Sequence, residues 1–124
     1  MKAKAKKVLV VDDDPVVIRL VKELLKIQGY LVETAKDGID AMIMVQKSKP
    51  DLIILDVMMP ELNGYDVLKT LKFQEEYKKI PIILLTAREQ ELDQRLSQMM
   101  GIDYLQKPLD RELFLTKVQQ AVHP

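Results

Sequence analysis

The segment Pro50-Asp51-Leu52-Ile53-Ile54-Leu55-Asp56 (PDLIILD, residues 50–56) decides the fold of this chain. Four aliphatic residues form its centre, and Asp56 ends it abruptly. A short run that is apolar at every position is typical of a parallel strand buried on both faces of its sheet. The segment therefore predicts a buried parallel sheet with a carboxylate at the end of one strand.

Three further segments end in the same abrupt way. Val8–Val11 is followed by Asp12-Asp13-Asp14, and Ile82–Leu85 is followed by Thr86. The weaker segment Asp103–Gln106 is followed by Lys107-Pro108. Helical patterns separate these strands, so we expect the strands to run parallel and to end at one common edge. Ligands of open parallel sheets bind outside the carboxyl ends of the strands. That edge would collect several acids, one hydroxyl and one amine.

Helical patterns and strand patterns alternate strictly, which predicts five strands and five helices. Asp14-Pro15 starts the first helix, Leu31–Ala35 reads as a half-exposed edge strand, and Asp37-Gly38 starts the second helix. In the first helix, apolar residues recur at the spacing of one helical face: Val17, Leu20, Val21, Leu24 and Leu25. The second helix carries Ile39, Met42, Ile43 and Val45.

Three later helices complete the pattern. The third is expected at about residues 65–73 and turns Val67, Leu68 and Leu71 inward. The fourth carries Leu92, Leu96, Met99 and Met100, and the last begins near Asp110 and buries Phe114, Val118, Ala121 and Val122. Right-handed crossovers with helices on both faces give a doubly wound three-layer α/β sandwich. Of the strand orders common in such folds, 2-1-3-4-5 is the one expected here.

Composition restricts the class of protein. The 124 residues predict a single domain, residues 1–124, whose first six residues are a basic tail. Lysine plus arginine and aspartate plus glutamate number 19 each, so no overall charge favours nucleic acid or a membrane. There is no cysteine, no run long enough for a membrane span and no signal-peptide pattern. We expect a cytoplasmic protein that does not itself bind nucleic acid.

The acids at the predicted edge suit phosphoryl chemistry. A carboxylate such as Asp56 can act as a nucleophile and form an aspartyl phosphate. Asp12 and Asp13 would supply the hard oxygen ligands that Mg²⁺ prefers, and a divalent ion would relieve the repulsion among three carboxylates. Asp14 is interpreted only as a helix cap.

The other polar groups at this edge have a structural and a functional interpretation. Thr86 fits a capping box with Glu89, in which its hydroxyl starts the following helix. If Thr86 lies beside Asp56, its hydroxyl could instead donate to a phosphoryl oxygen. The two roles can apply in different states of the protein. Lys107 would pair with Asp56 in the empty site and with phosphoryl oxygens in the filled one. Pro108 suits a cis peptide after that lysine. Tyr104, taken alone, is core or interface filler.

Together these motifs resemble the receiver domain of two-component response regulators, which has a flavodoxin-like, chemotaxis-type fold. The matching segments are VLVVDD (residues 8–13), Asp37-Gly38, PDLIILD with MMP and NG (residues 50–64), Thr86-Ala87, and Tyr104 with Lys107-Pro108. The resemblance covers essentially the whole chain, and the motifs occur in the family's order.

The resemblance implies a phosphoacceptor. Asp56 would take a phosphoryl group from a phosphohistidine on a sensor histidine kinase or a histidine phosphotransfer protein. Asp12, Asp13 and Asp56 would bind Mg²⁺ together with the backbone carbonyl of Met58. Such a domain is not an enzyme beyond catalysing its own phosphorylation and dephosphorylation.

The resemblance also implies a conformational switch. Thr86 matches the switch hydroxyl, Lys107 the phosphate-contacting lysine and Tyr104 the switch aromatic. The face built by the fourth helix, fifth strand and fifth helix would then change and bind an output partner or domain, and a phosphorylation-dependent dimer is compatible with this. Bulky Met58 and long Arg88 are expected to slow dephosphorylation by crowding the attacking water.

Other functions remain as alternatives. A flavodoxin-like electron carrier needs a phosphate-cradling loop after the first strand, where this chain has three aspartates. A phosphatase of the haloacid dehalogenase type expects a second aspartate where Met58 stands. A non-phosphorylated pseudo-receiver that serves as a scaffold conflicts with the presence of all the site residues.

Because the chain ends with its last helix, we expect either a stand-alone regulator or the receiver of a larger one, with its output unassigned.

Overall fold

The aliphatic runs form one parallel sheet in the computed structural model, which describes residues 5–56, 64–86 and 102–123. All neighbouring strands are parallel, and the sheet order is β2-β1-β3-β4-β5. The strands are β1 Lys7–Val11, β2 Leu31–Ala35, β3 Leu52–Asp56, β4 Ile82–Thr86 and β5 Asp103–Gln106. The predicted strand order and the edge position of β2 are therefore confirmed.

Four helices lie within the described ranges, and each connects or follows strands of the sheet. They are α1 Pro15–Ile27, α2 Gly38–Ser48, α3 Gly64–Lys72 and, at the C-terminus, α4 Arg111–Val122. The helix predicted around Leu92 and Met99 lies outside the described residues, so the count of five helices stays a prediction. None of the helices in the described ranges has the length and apolar character that a bilayer crossing requires.

Aspartate side chains start three of these helices. Asp14 accepts a hydrogen bond from the Val16 amide at 2.9 Å, and Asp110 accepts one from the Leu113 amide at 3.0 Å. Asp37 caps α2 in the same way. Each bond satisfies an amide that the first turn leaves without an intrahelical partner, and each is worth about 1 kcal/mol. The caps fix where helices leave the carboxyl edge of the sheet.

Within the part of the chain that the structure describes, two hydrophobic clusters flank the sheet. One face packs against α1 and α4, and the other packs against α2 and α3. Alternate residues of each strand serve opposite faces: Leu9 belongs to one cluster, and Val8 and Val10 belong to the other. Burial on both faces explains why the central strands read as continuous aliphatic runs.

The buried faces of α1 and α2 are narrower than their apolar patterns. Leu20 is 45% exposed, Ile39 55% and Ile43 47%, so these apolar side chains lie outside the core. Helix α2 buries Ala41 and Val45, and only Val45 belongs to the apolar pattern noted in the sequence. A helix resting on a flat sheet brings only one stripe of side chains into contact, and an apolar side chain beyond that stripe stays in solvent.

Candidate functional site

The site lies at the edge where the parallel strands end. Asp12 directly follows β1, Asp56 is the last residue of β3, Thr86 is the last residue of β4, and Lys107 directly follows β5. In the register of the two central strands, Asp56 pairs with Leu85, so Thr86 stands one residue farther along the neighbouring strand. The expected gathering of polar residues at one edge follows from the parallel topology.

Three carboxylates approach one another closely there. One oxygen each of Asp12, Asp13 and Asp56 lies within 4.8 Å of the other two. Asp12 is fully buried and Asp56 is 4% exposed, whereas Asp13 is exposed. Buried like charges at this separation repel strongly unless a cation balances them. The exposed Asp13 leaves one side of the cluster open to solvent.

Two hydrogen bonds to backbone groups hold Asp12 in place. Its own amide donates to the carbonyl of Ala35 at 3.1 Å, and its Oδ1 accepts from the amide of Asp14 at 2.9 Å. Sequence reasoning assigned Asp14 only the helix cap and missed this second role. The signal was present in the spacing, since an aspartate often accepts a bond from the amide two residues on.

Lys107 supplies the balancing positive charge. Its Nζ donates to Oδ2 of Asp12 at 2.9 Å and lies 3.6 Å from Oδ2 of Asp56. Burial alone would lower the pKa of Lys107, but the hydrogen bond to Asp12 and the charges of Asp12 and Asp56 outweigh it, so the pKa is raised. The predicted partner was Asp56; the shorter contact is to Asp12.

Thr86 and Tyr104 lie on the adjacent strands β4 and β5, where Tyr104 pairs with Leu84, two residues before Thr86. Thr86 is 2% exposed, and its backbone carbonyl accepts a hydrogen bond of 2.7 Å from the amide of Lys107. That bond ties together the backbones that carry the predicted switch hydroxyl and the predicted phosphate-contacting lysine. Tyr104 is half-buried and packs against the hydrophobic cluster that lies between the sheet and the helices α2 and α3.

Several predicted features lie outside the described residues. They are the Met58 carbonyl, the Arg88 side chain and the Glu89 partner of the Thr86 capping box. Lys107-Pro108 is described, and its peptide bond is cis, which agrees with the sequence expectation.

The donor set fits a divalent cation that prefers oxygen ligands. Three carboxylates offer hard oxygens from two buried positions and one exposed position. Mg²⁺ is commonly held by one or two carboxylates, with water and phosphate oxygens completing its octahedron. The exposed side at Asp13 provides room for such additional ligands.

Comparison with known sequences identifies the family. The model of the response regulator receiver domain matches residues 8–119. The chain is 44% identical over 104 residues to the alkaline phosphatase synthesis transcriptional regulatory protein PhoP of Bacillus subtilis, covering 83% of this chain and 42% of PhoP. It is 34% identical over 117 residues to protein PilH of Pseudomonas aeruginosa, covering 94% and 97%. The chain spans less than half of the length of several curated regulators that it matches.

Solved structures agree with this assignment. Chemotaxis protein CheY4 of Vibrio cholerae superposes with a TM-score of 0.87 at 35% identity, covering 95% of this chain and 99% of CheY4. The receiver domain of sensor histidine kinase PA1611 from Pseudomonas aeruginosa gives a TM-score of 0.87 at 30% identity, covering 98% and 100%, and has a magnesium ion coordinated in its active site cleft. Sequence, topology and the acidic edge agree: the chain belongs to the receiver domain family of two-component response regulators.

Proposed function

We propose that Asp56 is the phosphoacceptor of this receiver domain and that its phosphodonor is a phosphohistidine on a histidine kinase or a phosphotransfer protein. The observation that carries the proposal is the position of the Lys107 ammonium, 2.9 Å from Asp12 and 3.6 Å from Asp56. A nucleophilic carboxylate must meet a phosphoryl group that is itself negative, so a cation beside the nucleophile is required. Lys107 meets that requirement.

The reaction transfers a phosphoryl group between two side chains. An oxygen of Asp56 forms a bond to phosphorus as the bond from phosphorus to the histidine nitrogen breaks, and the imidazole leaves with the electron pair. Asp12, Asp13 and Asp56, with the carbonyl of Met58, would hold Mg²⁺, which neutralises charge on the phosphoryl oxygens when bound. Lys107 contacts the same oxygens as a point charge.

Phosphorylation would then select one of two conformations. The phosphoryl group adds negative charge and acceptor oxygens beside Thr86, whose hydroxyl can donate to them. Because Thr86 is buried, its rotation would open space into which Tyr104 can move. The group shifts the population only as far as it favours one state over the other. The proposed output face consists of β5, the C-terminal helix α4 and the helix predicted between β4 and β5, which lies outside the described residues. It would bind a partner or a second domain, or form a phosphorylation-dependent dimer.

The proposal covers the domain rather than a whole regulator. The domain acts as a signalling element, with no catalysis beyond its own phosphorylation and dephosphorylation. A cytoplasmic setting is part of the proposal, because several relatives are transcriptional regulators. Contact with nucleic acid would belong to an output domain and not to this one.

Mass spectrometry of the protein after incubation with acetyl phosphate and Mg²⁺ tests the proposal. We expect a mass increase of one phosphoryl group, lost when Asp56 is replaced by asparagine. Asp51→Asn is the matched control, because Asp51 immediately precedes the same strand at its opposite end and its acceptor for the Lys7 amide survives the change. Equal labelling of D56N and the parent protein would refute the assignment. No labelling of any protein would favour a scaffold.

A further inference from the structure

A second cleft lies at the opposite edge of the sheet, where β4 and β5 begin. Its volume is about 230 Å³. Its floor includes Ile82 and Ile102, which are 3% and 6% exposed, and its rim carries Lys72, Asp103 and Lys117. The cleft thus combines an apolar base with charged walls, so it offers a small amphipathic molecule both kinds of contact.

Among the described residues that line the cleft, two of the three charged side chains neutralise each other. The Lys117 ammonium donates to Oδ1 of Asp103, which also accepts the amide of Tyr104 at 3.0 Å. The pair joins α4 to the first residue of β5. Asp103 is therefore already balanced and adds little net negative charge to the cleft.

Lys72 is the third rim charge, and its partners are backbone carbonyls. Its Nζ donates to the carbonyl of Lys78 at 3.2 Å and to that of Ile80 at 3.5 Å. Among the residues that the structure describes, no carboxylate forms an ion pair with it. In agreement, burial lowers the pKa of Lys72. An ammonium has three donors, so one N–H remains for a further acceptor. The described residues of the cleft consequently carry about one uncompensated positive charge.

We propose that this basal cleft binds a small amphipathic carboxylate. Its carboxylate group accepts from Lys72, and its apolar body lies on Ile82 and Ile102. The carboxylate supplies the counter-charge that Lys72 lacks, and the apolar body covers side chains at the floor. The single uncompensated charge among the described lining residues favours a monoanion over a phosphate dianion, whose second negative charge would stay unbalanced. The site lies at the edge opposite Asp56 and does not depend on the proposed phosphorylation.

Titration of the ¹⁵N-labelled protein with sodium benzoate, at constant ionic strength, tests the proposal. We expect saturable amide shifts at Ile82, Ile102 and Asp103. Lys72→Met keeps the aliphatic stem and removes the charge, so we expect about tenfold weaker binding, the size of one hydrogen bond to a charged group. Lys72→Arg retains a donor and is expected to restore most of the affinity.

Two controls separate anion recognition from non-specific effects. Lys69→Met removes an exposed lysine from the same helix and is expected to leave the benzoate affinity within twofold of the parent. Benzamide has the same shape without the charge and is expected to bind at least tenfold more weakly. Equal binding of benzamide and benzoate, unchanged affinity in K72M, or shifts that never saturate would each overturn the proposal.

Discussion

Replacing Lys107 with methionine tests the electrostatic logic of the acidic edge directly. Methionine keeps most of the side-chain volume and removes the ammonium that contacts Asp12 and Asp56. Both carboxylates are buried, so the charge that they lose is not replaced by bulk water. We expect the free energy of unfolding to fall at neutral pH in the absence of metal.

The size of the effect follows from the distances. At an effective dielectric constant of about 20, each contact of 2.9 Å or 3.6 Å contributes roughly 5 kcal/mol of gross Coulomb attraction. Desolvation of the ammonium offsets much of this. Removing one member of a buried ion pair typically costs about 3–5 kcal/mol. Because the side chain of Lys107 is 22% exposed, we expect the low end of that range, about 3 kcal/mol.

Urea unfolding in EDTA, followed by circular dichroism, measures this loss. Lys78→Met is the matched control, because its 2.8 Å pair with Glu75 is exposed and is expected to contribute about 0–1 kcal/mol. Repeating both titrations with Mg²⁺ adds a second readout. Because Mg²⁺ binds the folded state and not the unfolded one, the free energy of unfolding rises as the ratio of metal concentration to Kd rises. This rise is expected to be larger in K107M, because there the metal replaces the missing positive charge.

Two results would refute the reasoning. The first is a K107M protein as stable as the parent in EDTA, which would mean that the carboxylates need no cation from the chain. The second is an equal Mg²⁺ gain in both proteins, which would mean that lysine and metal do not share the same carboxylates.

Three further predictions follow from individual side chains. Because the pKa of Lys107 is raised in the folded state, its charged form contributes stability that is fully present below the ordinary lysine value of 10.5. This contribution is lost as the pH rises through the higher pKa of the folded state. The difference in free energy of unfolding between the parent and K107M will therefore shrink in urea titrations at alkaline pH and stay constant near neutrality. Phe114→Ala removes a fully buried side chain and is expected to lower the free energy of unfolding in urea by about 3–5 kcal/mol. Leu113→Ala, at a side chain that is 47% exposed, is expected to lower it by less than about 1 kcal/mol. Similar losses in the two variants would contradict the assignment of Phe114 to the core. Met58→Asn is expected to speed loss of the aspartyl phosphate in a time course by mass spectrometry, and an unchanged or slower rate would contradict the crowding hypothesis.

Local sequence determined the elements and the edge that carries the chemistry. Continuous aliphatic runs such as Leu52–Leu55 are stable only between two packed layers, so they predict a doubly covered parallel sheet. Caps such as Asp14 and Asp110 fix helix starts, because the first-turn amides need acceptors. Parallel strands end at one edge, so residues at or just after their ends, such as Asp56 and Asp12, are brought together without further information.

Tertiary packing alone decided which groups touch. Lys107 and Asp12 are 95 residues apart in the chain, and only the packed sheet sets their 2.9 Å contact and the longer distance to Asp56. Packing also left Ile39 and Ile43 in solvent, since contact with a flat sheet covers one stripe of a helix whatever the width of its apolar pattern. Periodicity reports which way a side chain points, whereas distance and exposure depend on how the layers meet.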